Sequence, residues 1–231
     1  MFNMADIIRL IFRIIDKLPI TLTIMIASLF LGLLLGLLLA AVKIKQSRIP
    51  NAIVTVYVSF MRCTPPLVQL FLVFYGLPQL LMLFNININD WDPVIFAIIT
   101  FSMNSAAFLS EVMRSAYLAV DRGQQEAALS VGMSNIQSFI SIILPQAFGI
   151  ALPNLGNNLI ILLKETSLAF TIGITDIMGQ VNIICANSQG VNQLEIYLII
   201  ALIYWVICIA IEKGIAFLEH NYTRGHIGIA S

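Results

Sequence analysis

Long apolar runs separated by short polar segments dominate the hydropathy pattern of this 231-residue chain. Residues 18–42 contain no charged side chain, and about 20 apolar residues are enough for one helix to cross a bilayer. The runs are apolar on all sides, whereas the strands of a membrane barrel alternate apolar and polar positions. The pattern therefore predicts an all-α integral membrane protein.

Five of these runs are long enough to cross a membrane. We predict spans at residues 18–42, 64–84, 93–110, 153–174 and 195–211. Proline removes a backbone donor, so we expect Thr64-Pro65-Pro66 to end a lead-in over residues 51–63, and Pro153 to separate a return segment at 136–152 from the fourth span. Residues 175–194 are rich in Asn, Gln and Gly, which indicates an outer connection with a short helix.

One face of the first span is lined by small residues. Ser28, Gly32, Gly36 and Ala40 recur every four positions, which is the spacing of one helix face. Such a face lets a second helix approach closely in a membrane, although the pattern does not identify that helix.

Charged residues at the ends of the runs predict the orientation of a multi-pass protein of the cell membrane. Lys43, Lys45 and Arg48 follow the first span directly, and positive residues are typical of cytoplasmic loops. We expect the N-terminus outside, a transmembrane domain over residues 18–213, and a cytoplasmic tail at 214–231. Residues 1–17 interleave charges with Ile and Leu, which predicts an amphipathic helix lying in the membrane surface.

Composition excludes several classes of function. The 12 basic residues equal the 12 acidic ones, so no net charge points to a nucleic-acid partner. The three cysteines are widely spaced and match no metal or redox motif. We find no catalytic residues, and the chain contains no Walker A loop, so we expect it not to be an enzyme.

One segment between the spans is too polar to cross the bilayer, and we predict a cytoplasmic loop at residues 115–145. Asp121 is placed to cap a short helix, and Gly132 to end it. Ala127 and Ala128 offer a small, flat face that suits docking into a groove on another protein. A plain loop helix without a partner is the alternative, because small residues are common helix formers.

The same segment resembles the EAA loop of permease subunits of bacterial ABC importers. Its matching residues are Glu126, Ala127, Ala128, Gly132, Ile142, Leu144 and Pro145. We name residues 126–145 the EAA segment. RCTPPLVQLFLVFYGLP at 62–78 and LLKETSLAF at 162–170 are similar to the polar amino acid subfamily, with Cys63 and Pro66 departing from its usual Gly and Leu.

This resemblance implies a five-span helical bundle of the type I ABC importer permease kind, with a cytoplasmic coupling helix. It implies alternating access driven by ATP and a polar amino acid as substrate. The implied partners are two ATP-binding subunits, a second permease copy or paralogue, an extracytoplasmic substrate-binding protein and membrane lipid. The chain itself is expected to hold no cofactor, because ATP and Mg would be bound by the ATPase subunits.

Polar residues inside the predicted spans are candidates for the substrate path. They are Asn104, Asn157, Asn158, Lys164, Glu165, Thr166 and Ser167. A charged residue at the bilayer centre costs about 2.5 kcal/mol or more, so Lys164 and Glu165 either pair structurally or line the path. The rival function is a secondary amino acid transporter or channel not driven by ATP. A five-span chain cannot be halved into the inverted repeats of many such transporters, which argues against it.

Overall fold

Eleven α-helices make up the described part of the protein, which a computed structural model gives for residues 4–189 and 191–226. The predicted surface helix at 1–17 and tail at 214–231 thus lie partly outside the described residues. The helices are α1 (Met4–Ile15), α2 (Leu18–Lys45), α3 (Arg48–Cys63), α4 (Pro66–Phe71), α5 (Leu77–Met82), α6 (Pro93–Ala119), α7 (Arg122–Ser130), α8 (Asn135–Ser138), α9 (Leu144–Glu165), α10 (Ile177–Asn187) and α11 (Gln193–His226). Two π-helical turns, Leu72–Gly76 and Phe139–Ile143, and a 3₁₀ turn, Thr166–Ile172, join some of them.

Long apolar helical stretches confirm the prediction of an all-α membrane protein. Four stretches are long and apolar enough to cross a membrane: Ile7–Lys45, Pro93–Ala119, Asn135–Ile172 and Gln193–Tyr222. The pair Arg48–Cys63 and Pro66–Met82 bends by 113° and brings the number to five if it counts as one span. The bend falls at the predicted proline break.

The small-residue face of α2 packs against α6. Ser28, Gly32, Gly36 and Ala40 are all buried. A Cβ added at Gly32 would lie 2.9 Å from the Cβ of Ser105, and one at Gly36 would lie 3.1 Å from the Cβ of Leu109. The predicted close approach is therefore confirmed, and α6 is the partner helix. We name this contact the α2–α6 seam.

An ion cluster joins the same two helices towards the C-terminal end of each. Glu111 accepts hydrogen bonds from Lys43 of α2 and from Arg114, whose Nη2 lies 3.0 Å from Oε2 of Glu111. Glu111 and Arg114 are three residues apart, a spacing at which side chains on one helix face meet. Lys43 adds a second charge-assisted bond, which is stronger than a neutral one, and thereby ties α2 to α6.

The predicted break at Pro153 is wrong. Helix α9 runs through this proline, and Asn135–Ile172 forms one continuous helical stretch. A proline inside a helix removes one backbone hydrogen bond, which membrane helices tolerate when they pack against neighbours. The separate return segment at 136–152 therefore does not exist, and the same helix continues into the predicted fourth span.

Candidate functional site

The EAA segment begins within a helix whose two ends are fixed as the sequence predicted. The Oδ1 atom of Asp121 accepts a hydrogen bond from the backbone N–H of Gly123 at 2.9 Å, which caps α7. Gly132 ends the helix with a φ of 88°, a left-handed conformation that favours glycine. The N–H of Met133 then bonds to the carbonyl of Ala128 at 3.1 Å, as in a Schellman motif.

A second short helix, α8, follows and was not predicted. Its cap is reciprocal: Ser134 Oγ accepts from the N–H of Gln137 at 3.2 Å, and Gln137 Oε1 accepts from the N–H of Ser134 at 2.8 Å. The spacing of Ser134 and Gln137 is the capping-box signature, which was readable from the sequence. The π-helical turn Phe139–Ile143 then leads into Leu144 and Pro145 at the start of α9.

The outer surface of the EAA segment differs from the predicted flat alanine face. Glu126 and Ala127 are exposed, but Ala128 is buried at 3% exposure, so the two alanines point in different directions. Leu144 is exposed and Pro145 is half-buried. Large apolar side chains stand out instead: Leu129 is 41%, Val131 78% and Ile136 72% exposed. We name these three residues the apolar patch.

Several candidate path residues form bonds inside the bundle. Asn104 is buried and donates to Oε1 of Gln69 at 2.9 Å, while Gln69 donates to the Met61 carbonyl at the α3–α4 bend at 2.8 Å. Thr166 is buried and donates to the carbonyl of Leu163 at 2.7 Å. Asn104 thus links α6 to the helix that begins at the proline break, and Thr166 satisfies a carbonyl at the end of α9.

Asn158 lies away from the exposed side of α9, and Ser167 lies half-buried in the 3₁₀ turn that follows this helix. Asn158 is buried, and its Oδ1 has no hydrogen-bond partner among the described residues. Ser167 donates to the carbonyl of Lys164 at 2.6 Å. These short-range bonds follow from hydroxyls that reach back one helical turn.

Asn157 and Lys164 lie on the opposite, exposed side of α9. They are seven residues apart (164 − 157 = 7), which is two helical turns, so they share one face. Lys164 forms no ion pair among the side chains of residues 7–189 and 191–222, and Glu165 beside it is half-buried. The structure therefore separates this pair, and it does not gather the seven candidates in one place.

Comparison with known sequences gives matches along most of the chain. The family described as "Binding-protein-dependent transport system inner membrane component" matches residues 32–223. The L-cystine transport system permease protein TcyL of Bacillus subtilis (strain 168) is 43% identical over 192 residues, which cover 83% of this chain and 80% of the relative. The probable amino-acid ABC transporter permease protein PatM of Vibrio harveyi is 36% identical over 188 residues, which cover 81% of this chain and 82% of the relative.

Solved structures share the same fold. A crystal structure of an amino acid ABC transporter with histidines superposes with a TM-score of 0.82 at 32% identity, covering 96% of this chain and 99% of that one. The MetNI methionine ABC transporter in an inward-facing conformation gives a TM-score of 0.70 at 18% identity, covering 92% and 97%. At that identity the second likeness shows the fold alone.

Proposed function

Since this chain belongs to the family of binding-protein-dependent transport system inner membrane components, we propose that it carries a polar amino acid across the cell membrane as the permease subunit of an ATP-driven importer. Its relative TcyL is a permease protein of an L-cystine transport system, and its relative PatM is described as a probable amino-acid ABC transporter permease protein. The family consists of membrane permeases, so ATP hydrolysis is assigned to partner subunits, which would also bind ATP and Mg.

The observation that carries this proposal is the architecture of the EAA segment. It is capped at both helices and places the apolar patch of Leu129, Val131 and Ile136 in the open. Exposed apolar side chains on a rigid helix–turn–helix fit a groove on a soluble protein. In our proposal two ATP-binding subunits supply that groove, Glu126, Ala127 and Gly132 lie at the contact, and Leu144-Pro145 connects it to α9.

The exposed polar face of α9 supports a second permease subunit. Lys164 lies in the last turn of α9, within the apolar stretch Asn135–Ile172, and a lysine that meets lipid inside a membrane span costs up to about 3.5 kcal/mol. Asn157 and Lys164 are uncovered by the described part of this chain. A second copy or a paralogue placed on this face would enclose a polar path between the two subunits, and we assign Asn157 and Lys164 to its lining.

These assignments fix a proposed orientation. The EAA segment must lie in the cytoplasm to meet ATPase subunits, so the N-terminus lies outside and the C-terminus inside. An extracytoplasmic substrate-binding protein would then deliver the amino acid to the opposite side. Transport would proceed by alternating access, with the ATP state biasing the permease pair between two conformations.

Copurification from host membranes tests the proposal. Wild-type chain should bring down an ATP-binding subunit and ATPase activity. Burying Val131 or Ile136 is worth about 1.5–3 kcal/mol, so Val131→Asp and Ile136→Asp should each weaken this association about tenfold or more.

Val191→Asp is the matched control, because Val191 is also an exposed valine, at 62%, and lies in the turn before α11, on the outer side in our orientation. It should copurify like wild type. A wild-type chain that purifies alone and transports amino acids in vesicles without ATP would establish the secondary-transporter alternative instead.

A further inference from the structure

Tyr222, near the C-terminal end of α11, packs on the first turn of α9. Its hydroxyl donates a hydrogen bond to the carbonyl of Pro145 at 2.8 Å. Its ring lies 5.3 Å from that of Phe148 at an interplanar angle of 63°. A Cβ added at Gly149 would lie 3.2 Å from Cε1 of Tyr222, so the ring rests directly against the helix backbone. The contact reaches the Leu-Pro end of the EAA segment.

The same two helices meet again two turns further along. A Cβ at Gly156 would lie 2.6 Å from Cγ2 of Ile215, so a larger residue there would require the Ile215 side chain to shift. Gly156 follows Gly149 by seven residues (156 − 149 = 7), and Ile215 precedes Tyr222 by seven (222 − 215 = 7). Two contacts in antiparallel register hold α9 and α11 together, because seven residues return to the same helix face.

The backbone just before Pro145 departs from regular α-helical geometry. The π-helical turn Phe139–Ile143 precedes it, and π-helical turns have a wider hydrogen-bond pattern than the α-helix. Pro145 itself donates no backbone hydrogen bond. The short helices α7 and α8 of the EAA segment are thus joined to α9 through the π-helical turn, and Tyr222 binds the chain immediately after that turn.

We propose that Tyr222 is a positioning residue for coupling. Its hydroxyl fixes Pro145 to α11, so that a displacement of the EAA segment by the ATPase subunits moves α9 and α11 together. Without this bond the start of α9 shifts against α11, the displacement is not passed on to α11, and ATP is hydrolysed with less transport. This inference rests on the proposed function. It assigns to the Tyr222 side chain the transmission of movement from the ATPase subunits to the membrane helices, which that function requires.

The test is the ratio of amino acid taken up to ATP hydrolysed, measured with the complete transporter in proteoliposomes. Tyr222→Phe removes the hydroxyl and keeps the ring. The matched control is Tyr57→Phe, since the Tyr57 hydroxyl also donates to a backbone carbonyl, that of Met103, at 2.8 Å, but it joins α3 to α6. We expect Tyr222→Phe to lower the ratio about threefold to tenfold, the effect of one net hydrogen bond, and Tyr57→Phe to leave it unchanged.

A second variant reaches the same contact from the other side. Gly149→Ala keeps the Tyr222 hydroxyl but places a Cβ 3.2 Å from Cε1, so the ring must shift by a few tenths of an ångström and its bond to Pro145 is strained. It should also lower the ratio, and combining it with Tyr222→Phe should add little. A wild-type ratio in Tyr222→Phe, or an equal fall in Tyr57→Phe, overturns the inference. If the wild-type transporter shows no ATP-driven uptake at all, the proposed function fails instead.

Discussion

The α2–α6 seam predicts that Gly32→Ala destabilises the protein. The added Cβ would lie 2.9 Å from the Cβ of Ser105 and 3.4 Å from the carbonyl oxygen of Ser102. Both atoms are on or next to the backbone of α6, so no flexible side chain can move aside and the two helices must separate. Overpacking of this kind costs about 1–3 kcal/mol.

A matched control glycine, Gly214, should change the stability in the opposite direction. A Cβ at Gly214 in α11 meets nothing within 4 Å. Gly214→Ala therefore adds only helix propensity, which is worth up to about 1 kcal/mol. In thermal unfolding of the purified assembled transporter, Gly32→Ala should lower the midpoint, and Gly214→Ala should leave it unchanged or raise it.

Ser105→Gly tests whether the contact itself is responsible. In the Gly32→Ala background it removes the atom that the new methyl group meets, so the double variant should recover part of the lost midpoint. A double-mutant cycle measures this recovery as the interaction between the two sites. If Gly32→Ala is as stable as wild type, or if Ser105→Gly lowers the midpoint equally in both backgrounds, the packing argument is wrong.

Two further predictions concern single residues outside the seam. Gly132 has a φ of 88°, and an added Cβ there would meet nothing within 4 Å, so alanine costs only backbone strain of about 1–2 kcal/mol, which asparagine tolerates. The amount of copurified ATPase should therefore fall for Gly132→Ala and be kept for Gly132→Asn. Equal losses in the two variants would show that side-chain bulk is responsible. Asp176 is fully buried and accepts from the N–H of Gly179 at 2.8 Å, and burial raises the pKa of Asp176 to about 6. At pH values below the unfolded pKa, the protonated Asp176 carboxyl contributes its full stabilisation of the folded state. This stabilisation is lost as the pH rises through the folded pKa. Asp176→Asn keeps the cap, so its midpoint should gain on wild type between about pH 4 and pH 6, the interval between the unfolded and the folded pKa, and the gain should level off above it; a gain that shrinks over this range would contradict the assignment.

The sequence predicted features that depend on near neighbours. Charge-free runs located the spans, and the four-residue spacing from Ser28 to Ala40 located a packing face. Asp121 and Gly132 were identified as helix ends because their roles involve only the adjacent turn.

The failures depend on contacts that are distant in sequence or on packing. Lys43 and Glu111 lie 68 residues apart, and Tyr222 and Pro145 lie 77 apart, so no local pattern joins them. Whether Ala127 or Ala128 faces outward depends on how α7 sits against its neighbours. Pro153 was misjudged because neighbouring helices compensate for the hydrogen bond that it removes.

The α2–α6 seam also constrains how the chain is made. Gly32 and Ser105 meet in the folded protein, but 73 residues of chain separate them (105 − 32 = 73). At a synthesis rate of about 5–20 residues per second, α2 emerges roughly 4–15 s before its partner. During that interval α3, α4 and α5 enter the membrane, and the glycine face of α2 must stay uncovered. The four small positions of α2 are therefore presented to the earlier helices before the helix that they fit has been made.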